Sequence, residues 1–368
     1  MSLSIGIVGL PNVGKSTLFN ALTEKTVPAE NYPFCTIDPS VGIVAVPDSR
    51  LEKLNDFSHS QKKIPAAIEF VDIAGLVAGA SEGQGLGNKF LAHIRETDAI
   101  AQVVRIFEDE NIIHVSGKID PIDDIGVINL ELILADMQTV TKRLSNIERD
   151  VKRGDKDAVR EKTALSRILP ALEEGKLAST VTLDEHELAI VKTMHLLSMK
   201  PILYILNKRS GGGSKNLDEL NDERYKVLIE FFKDNGAGHV IVDAKIESEL
   251  KDFVGEEREM FRAELGASRD DGVNDLIMKS YDILGLMTYF TTGEDETRAW
   301  TIRKNSTAPV AGMAIHTDFR DKFIRAEVIR YDKLLEAGAY SIAREKGWVR
   351  TEGKEYIVQD GDVIEFRI

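Results

Sequence analysis

The sequence has little of what secreted, membrane or polyanion-binding proteins carry. One cysteine in 368 residues, Cys35, excludes an internal disulfide framework and indicates a reducing compartment. No run of about 18 apolar residues occurs, and the N-terminus carries neither a basic stretch nor a cleavage-site pattern. Positive charge is in deficit, with a net charge of −14, so any nucleic-acid contact would require a local basic patch. We therefore expect a cytoplasmic protein without a membrane partner.

The chain is long enough for two domains and a protruding element. Hydrophobic residues at 43% and charged residues at 29% are typical of a globular protein. Several near-continuous apolar runs read as strands buried on both faces of a parallel sheet. These predicted strands span residues 4–9, 41–46, 66–71, 99–105, 201–206 and 239–243. Helical stretches between them predict a doubly wound, mainly parallel α/β sheet.

A helical pattern interrupts the strands between residues 126 and 199. Its apolar positions follow a 4-3-4-3-4 spacing that lays one seam along a helix: Ile133, Met137, Val140, Leu144, Ile147 and Val151. Arg153 and Gly154 offer a turn, and a second pattern can pair back: Leu165, Ile168, Leu172, Leu188, Val191 and Leu197. The pattern predicts an inserted coiled-coil hairpin, with a pair of ordinary sheet-covering helices as the alternative.

The last part of the chain is β-rich. Short strand-like pieces separated by glycines begin beyond Tyr281, and an alternating segment, 356–359, is closed by Asp360-Gly361 before a final apolar run. This pattern predicts a small module with a tight turn. The predicted division is a nucleotide-binding domain over 1–125 and 200–282, a hairpin over 126–199 and a C-terminal domain over 283–368.

A phosphate-binding motif follows the first predicted strand. Residues 9–16 fit G-x-x-x-x-G-K-[ST] at every fixed position and precede a plausible helix. Glycines let backbone amides surround the phosphates, Lys15 reaches the β- and γ-phosphates, and the Ser16 hydroxyl ligates Mg²⁺. The candidate nucleotide-binding residues here are Asn12, Val13, Gly14, Lys15, Ser16 and Thr17.

Two further segments complete a candidate magnesium and switch site. The 66–71 strand leads into Asp72-Ile-Ala-Gly75, an Asp-x-x-Gly element in which the aspartate serves Mg²⁺ and the glycine amide senses the γ-phosphate. Thr36, in a proline-flanked loop between the two motifs, is positioned to add a hydroxyl ligand when γ-phosphate is present. The adjacent Cys35 is either a redox-sensitive thiol or a small apolar residue.

The residue that orients water in Ras-like hydrolases is missing. Leu76 stands where those enzymes place glutamine, and an apolar side chain cannot orient the attacking water. His114 is the candidate substitute because an imidazole can polarise water near neutral pH. The alternative is that His114 only packs its loop.

Base recognition also departs from the guanine-specific pattern. Asn207 and Lys208 match the start of Asn-Lys-x-Asp, but Ser210 replaces the carboxylate that reads guanine. Loss of hydrogen bonds to a charged group costs roughly 1.5 to 3 kcal/mol, so adenine is expected to be preferred. A further tripeptide, Asp243-Ala244-Lys245, is similar to the loop that closes over the base.

Taken together, these motifs resemble the YchF-type, Obg-like family of P-loop ATPases over essentially the full chain. The most specific segments are residues 9–17, 31–39, 72–76, 111–117, 298–301, 316–319 and 356–362. The resemblance implies an inserted antiparallel coiled coil, a C-terminal TGS domain of ubiquitin-like shape, ATP hydrolysis, a histidine at position 114 and ribosome association. Ser210 departs from the glutamate typical of the family. Asn12 lies where potassium-dependent relatives place a K⁺ ligand, or else stabilises a turn.

Two functions are weighed. The first is a nucleotide-switched factor on the ribosome that hydrolyses ATP, with GTP weaker or comparable. RNA contact would use the hairpin and a basic, aromatic cluster: Arg298, Trp300, Lys304, Arg320, Lys322, Arg325 and Arg330. The alternative for this cluster is a set of solvated strand faces. The second function is a P-loop kinase that passes phosphate to a small acceptor.

Overall fold

The structure is a computed structural model that describes residues 3–23, 40–73, 86–109, 112, 114, 117–210, 215–250, 253, 255–264 and 272–368. The predicted roles of Thr36, Gly75, Leu76 and Cys35 therefore lie outside the described residues. Within the described ranges, every helix is too short or too polar to cross a bilayer.

Strands and helices alternate through the first two thirds of the chain. The described strands are β1 (Ser4–Val8), β2 (Val41–Ala45), β3 (Lys62–Ile64), β4 (Ala67–Asp72), β5 (Ala99–Arg105), β6 (Phe107–Glu108), β7 (Ile202–Asn207), β8 (Lys215–Asn216), β9 (Gly238–Val242), β10 (Leu286–Thr292), β11 (Glu296–Arg303), β12 (Arg325–Arg330), β13 (Arg350–Glu352) and β14 (Asp362–Arg367). The described α-helices are α1 (Lys15–Thr23), α2 (Ser49–Ser58), α3 (Leu86–Glu96), α4 (Pro121–Lys152), α5 (Lys156–Glu173), α6 (Glu185–Lys192), α7 (Glu223–Asp234), α8 (Ala244–Glu249), α9 (Gly255–Glu264), α10 (Val273–Ile283), α11 (Ala308–Gly312), α12 (Asp318–Asp321), α13 (Tyr331–Ala337) and α14 (Tyr340–Glu345). Short 3₁₀ turns occur at Ala178–Thr180 and Leu197–Met199.

The central sheet has the strand order β2-β4-β1-β5-β7-β9. Its strands pair in parallel except β2, which runs antiparallel to β4 at the edge. All seven residues of β5 are buried, as expected for a strand covered by helices on both faces. The predicted α/β sheet is confirmed, and each of its six predicted strands is present within one residue at either end.

The helical hairpin is one long helix and a shorter return. Helix α4 begins with Asp120 as N-cap and Pro121 in its first turn, and Gly154 takes a left-handed φ of +80° just after it ends. The predicted seam packs against α5 in a separate apolar cluster. The helix starts earlier than residue 126, and Ile128 and Leu132 pack into the sheet core. The alternative prediction, helices that cover the sheet, therefore holds only for the N-terminal part of α4 up to Leu132, which we call the base of α4.

The second sheet has the order β13-β12-β14-β10-β11-β3. Its edge strand β3 comes from the first quarter of the chain and pairs in parallel with Glu296–Arg298 of β11. The range 283–368 therefore does not contain the whole C-terminal sheet. Segment 356–359 is not a strand of this sheet, since Ile357 makes only an isolated bridge to Thr307. The tight turn at Gly361 is present, with φ of +88°.

Arg50 at the start of α2 joins the two sheets. Its guanidinium bonds to the carboxylates of Asp48 and Asp360 and lies 5.2 Å from the ring centre of Phe290. Asp360 in turn accepts the backbone N–H of Thr288 at 3.0 Å. Asp360 therefore serves as an acceptor at the turn that precedes β14.

Candidate nucleotide site

The phosphate loop connects the end of β1 to α1, and it contains two glycines at positions with a positive φ and no room for a side chain. Gly9 has φ of +157°, and an added Cβ would lie 2.7 Å from the carbonyl oxygen of Val103 on β5. Gly14 has φ of +97°, and a Cβ there would collide with the side-chain amide of Asn207. Neither position accommodates a side chain, so both glycines are required by the backbone course of this loop, which is typical of phosphate-binding loops.

Lys15 crosses the mouth of this loop. Its Nζ donates to the carbonyl oxygens of Gly9 and Leu10, each at 2.9 Å. Burial lowers the pKa of Lys15, and the negative charge of Asp72 partly opposes that change. The ammonium is thus held beside the amides of the loop, where it can interact with phosphate oxygens.

Asp72 ends β4 on the same side of the sheet. Burial raises the pKa of this carboxyl, whereas the charge of Lys15 acts in the opposite direction. Asp72 is partly exposed and Ser16, in the first turn of α1, is exposed, so both oxygen donors are accessible to a ligand. Lys15 and Asp72 thus lie close enough for the charge of each to influence the pKa of the other.

Asn207 connects the phosphate loop to the predicted base loop. Its Nδ2 donates to the carbonyl oxygen of Val13 at 2.7 Å, and its Oδ1 accepts the backbone N–H of Ala244 at 3.1 Å. The Asn207 side chain is buried, as are Val13 and Ala244. This one amide therefore links the phosphate loop directly to the predicted base loop.

Asp243 and Ser210 take part in the same local network. Asp243 Oδ1 accepts the backbone N–H groups of Lys245 and Ile246, and its Oδ2 accepts that of Ser210. The carboxylate caps α8 and holds the loop after β7, so its oxygens are occupied by backbone donors. Lys208 is 7% exposed and its backbone N–H bonds to Val242, whereas the Lys245 side chain is exposed beside Glu249.

His114 lies in the interior. Its Nε2 is 3.0 Å from Oδ2 of Asp124 in the first turn of α4, and the two side chains are 3% and 5% exposed. Burial raises the pKa of Asp124, and the neighbouring imidazole opposes that rise. The sequence reasoning identified His114 but missed Asp124, because an acid in the first turn of a helix is an ordinary capping feature.

The proposed basic cluster is balanced by acids. The cations of the cluster have carboxylate neighbours, in the pairs Arg298–Glu296, Lys304–Asp282, Arg320–Asp321, Lys322–Asp318 and Arg330–Asp332. Arg298 also lies over the ring of Trp300, 4.0 Å from its centre. Arg325 is exposed on β12. The expected concentration of positive charge is therefore weaker than the sequence indicates, since the neighbouring acids neutralise most of it.

A P-loop between β1 and α1, an aspartate ending the neighbouring strand β4, and an asparagine ending β7 define a P-loop nucleotide hydrolase of the translation-factor GTPase class. Residues 4–140 match the family model described as "50S ribosome-binding GTPase". Residues 286–368 match the YchF-GTPase_C model, described as "Protein of unknown function (DUF933)".

Similar proteins cover the whole chain. The "Ribosome-binding ATPase YchF" of Bacillus subtilis (strain 168) is 54% identical over 100% of this chain and 99% of its own. The protein of that name from Escherichia coli O157:H7 is 46% identical with the same coverage. The solved structure of the Schizosaccharomyces pombe YchF GTPase has a TM-score of 0.86 at 36% identity, covering 100% of this chain and 98% of that one. The chain belongs to the YchF family, and the resemblance drawn from its motifs is confirmed.

Proposed function

We propose that this protein is a nucleotide-switched ATPase that hydrolyses ATP to ADP and phosphate and associates with the ribosome. The observation that carries the proposal is the Asn207 amide, which joins the phosphate loop at Val13 to the base loop at Ala244. Such a connection suits a site that binds the phosphates of a nucleotide in one loop and its base in the other. The names of the Bacillus subtilis and Escherichia coli relatives, ribosome-binding ATPase, support ATP as substrate and the ribosome as partner.

The residues of the site fit a magnesium ion. The hydroxyl of Ser16 and the carboxylate of Asp72 are hard oxygen donors accessible to ligand, and Thr36 would add a third. No group of three His, Cys, Asp or Glu among the described residues could hold a metal, so phosphate and water oxygens would complete the shell. A bound Mg²⁺ would supply charge neutralisation to the triphosphate. A K⁺ ion at Asn12 is the further proposal for this loop.

The proposed catalytic side chains are those of Lys15 and His114. Lys15 neutralises phosphate charge, and His114 orients the attacking water that Leu76 cannot orient. Lys15→Ala is expected to abolish tight ATP binding. His114→Ala is expected to leave ATP affinity intact and to slow phosphate release at saturating ATP by about 100-fold. Wild-type turnover in the histidine variant would remove His114 from the reaction.

Adenine is the proposed base. Ser210 has no carboxylate for the guanine edge, and the neighbouring carboxylate of Asp243 already accepts three backbone N–H groups. Among the described residues 208–210 and 243–245, no carboxylate is therefore available to read the guanine edge. Parallel titrations with ATP and GTP test this assignment, and tighter binding of GTP would overturn it. In the same assay, labelled γ-phosphate appearing in an organic acceptor instead of inorganic phosphate would favour the kinase alternative.

The proposed division of labour follows the fold. Residues 1–125 and 200–282 bind nucleotide, 126–199 form the projecting hairpin, and 283–368 form a TGS domain whose sheet is completed by β3. The hairpin and the C-terminal domain are the proposed ribosome and RNA contacts, and a ribosomal partner implies a cytoplasmic location. Co-sedimentation with ribosomes in ATP and in ADP tests the switch. Equal ribosome binding in ATP and in ADP would count against the switch. Ribosome binding that is unchanged after charge reversal at Arg325 would count against the proposed contact through the C-terminal domain.

A further inference from the structure

His114 and Asp124 form a buried pair between a loop and a helix. The loop lies after β6, and Asp124 lies in the first turn of α4. The two side chains meet with 3.0 Å between Nε2 and Oδ2, and both are almost fully buried. Removing a charged carboxylate from water is costly unless a partner satisfies it, so the contact with the imidazole is a specific one.

The carboxylate is held in place by the packing of its helix. Asp120 caps the first turn of α4 by accepting the backbone N–H of Asp123, and Asp124 donates its own backbone N–H to the carbonyl of Asp120. The next residue, Ile125, is 2% exposed and packs with apolar residues of β5 and β7. The base of α4 is thus anchored to the central sheet, and Asp124 has little freedom to move away from the imidazole.

The loop that carries His114 is braced from the other side by Arg105. This residue is 1% exposed at the end of β5, and its guanidinium donates to the carbonyl oxygens of Phe107 at 2.9 Å and Ile112 at 3.1 Å. The backbone N–H of Gly117 then donates to the carbonyl of His114 at 3.0 Å. Among the described residues of this loop, Ile112 and Gly117 therefore make hydrogen bonds on either side of His114.

We propose that Asp124 is the positioning residue of His114, holding its imidazole in the tautomer and orientation that hydrolysis needs. A neutral imidazole carries one N–H and one lone pair. When the Asp124 carboxylate accepts a hydrogen bond from the N–H at Nε2, the imidazole is held in one tautomer and its lone pair resides on Nδ1. This arrangement follows the general pattern in which a third group orients a base. It rests on the proposed role of His114 in hydrolysis.

The proposal assigns Asp124 an effect on turnover that passes entirely through His114. We expect Asp124→Ala to lower kcat for phosphate release by about tenfold to 100-fold, with ATP affinity changed less than about twofold. The double variant His114→Ala/Asp124→Ala should be no slower than His114→Ala alone, because the residue through which Asp124 acts is already gone. Asp123→Asn is the matched control, since that acid is in the same turn but is 63% exposed and paired with Lys118.

Nitrogen-15 NMR of histidine-labelled protein gives a second measurement that loss of helix stability would not mimic. The wild type should show His114 protonated at Nε2, and Asp124→Asn, which retains the shape of the side chain, should shift the tautomer population. If Asp124→Ala does not fold, Asp124→Asn replaces it in the kinetic cycle.

The outcomes separate the two ideas. A slow His114→Ala enzyme with wild-type turnover in Asp124→Ala would overturn the positioning role and leave the proposed function standing. Additive losses in the double variant, or an unchanged tautomer in Asp124→Asn, would likewise overturn it. Wild-type turnover in His114→Ala would refute the catalytic assignment itself. Supporting results are a slow Asp124→Ala enzyme, no added loss in the double variant and a shifted tautomer.

Discussion

Asn207→Ala should weaken nucleotide binding more than it weakens the fold. The amide donates to Val13 at 2.7 Å and accepts from Ala244 at 3.1 Å, and both partners are essentially buried. Truncation leaves one buried carbonyl and one buried N–H without their partner, at about 1–3 kcal/mol each. The two loops can move apart so that water hydrates the Val13 carbonyl and the Ala244 N–H. The substitution is therefore expected to disturb the geometry of the nucleotide site more than the stability of the fold. We expect ATP affinity to fall by about tenfold to 100-fold, which corresponds to about 1.4–2.8 kcal/mol.

Asn207→Asp sharpens this experiment because it keeps the size of the side chain. One carboxylate oxygen can still accept the N–H of Ala244, whereas the other faces the carbonyl oxygen of Val13 and repels it. We expect this variant to bind ATP at least as weakly as Asn207→Ala. The control is Asn235→Ala, which removes an exposed amide that bonds to Phe231 on α7. Isothermal titration calorimetry measures the affinities. An Asn207→Ala protein that binds ATP within twofold of wild type would refute the claim that this amide organises the site.

Three further predictions concern the rest of the molecule. Gly14→Ala should lose ATP binding, because its Cβ would meet the Asn207 amide at a φ of +97°; calorimetry checks this, and wild-type affinity would contradict it. Arg50→Ala should lower the free energy of unfolding, measured by guanidinium denaturation, by about 1–3 kcal/mol, because Arg50 is largely buried beside Asp48. The control Arg330→Ala, which removes an exposed arginine paired with Asp332, should cost about 0.5 kcal/mol or less. Equal losses in the two variants would contradict this prediction. Burial raises the pKa of Tyr281 to about 12, whereas an unfolded tyrosine titrates near 10. Its contribution to stability is therefore present below pH 10 and is lost as pH rises toward 12, so wild type should lose more stability than Tyr281→Phe across that window.

The central sheet was predictable because its strands have a simple signature. A strand covered on both faces reads as an unbroken apolar run, and β5 is buried at every position. The phosphate loop was predictable for a similar reason, since its glycines and Lys15 occur at a spacing that few other structures require. The coiled-coil seam was also visible, because the repeat continues over several turns of α4.

Contacts between distant parts of the chain left no comparable signal. Strand β3 has only three residues, of which Lys62 and Lys63 are exposed, so no local pattern assigns it to the C-terminal sheet. Its partner β11 is supplied more than two hundred residues later, and the pairing depends on where α2 docks. The alternating segment 356–359 leads into the predicted tight turn but is not itself a strand, since Ile357 makes only an isolated bridge to Thr307. The Asp360 carboxylate that follows it accepts hydrogen bonds from Thr288 and Arg50.

The same reasoning explains why the candidate site was only half visible in the sequence. Motifs identify residues that contact a ligand, because the ligand fixes their spacing along one short segment. They do not identify Asp124, whose spacing to His114 is set by the packing of Ile125 against the sheet. If Asp124 positions His114, the hydrolytic site extends to the helix that continues into the hairpin. Anything that shifts the base of α4 would then alter turnover without touching the nucleotide, a consequence that no motif in this chain predicts.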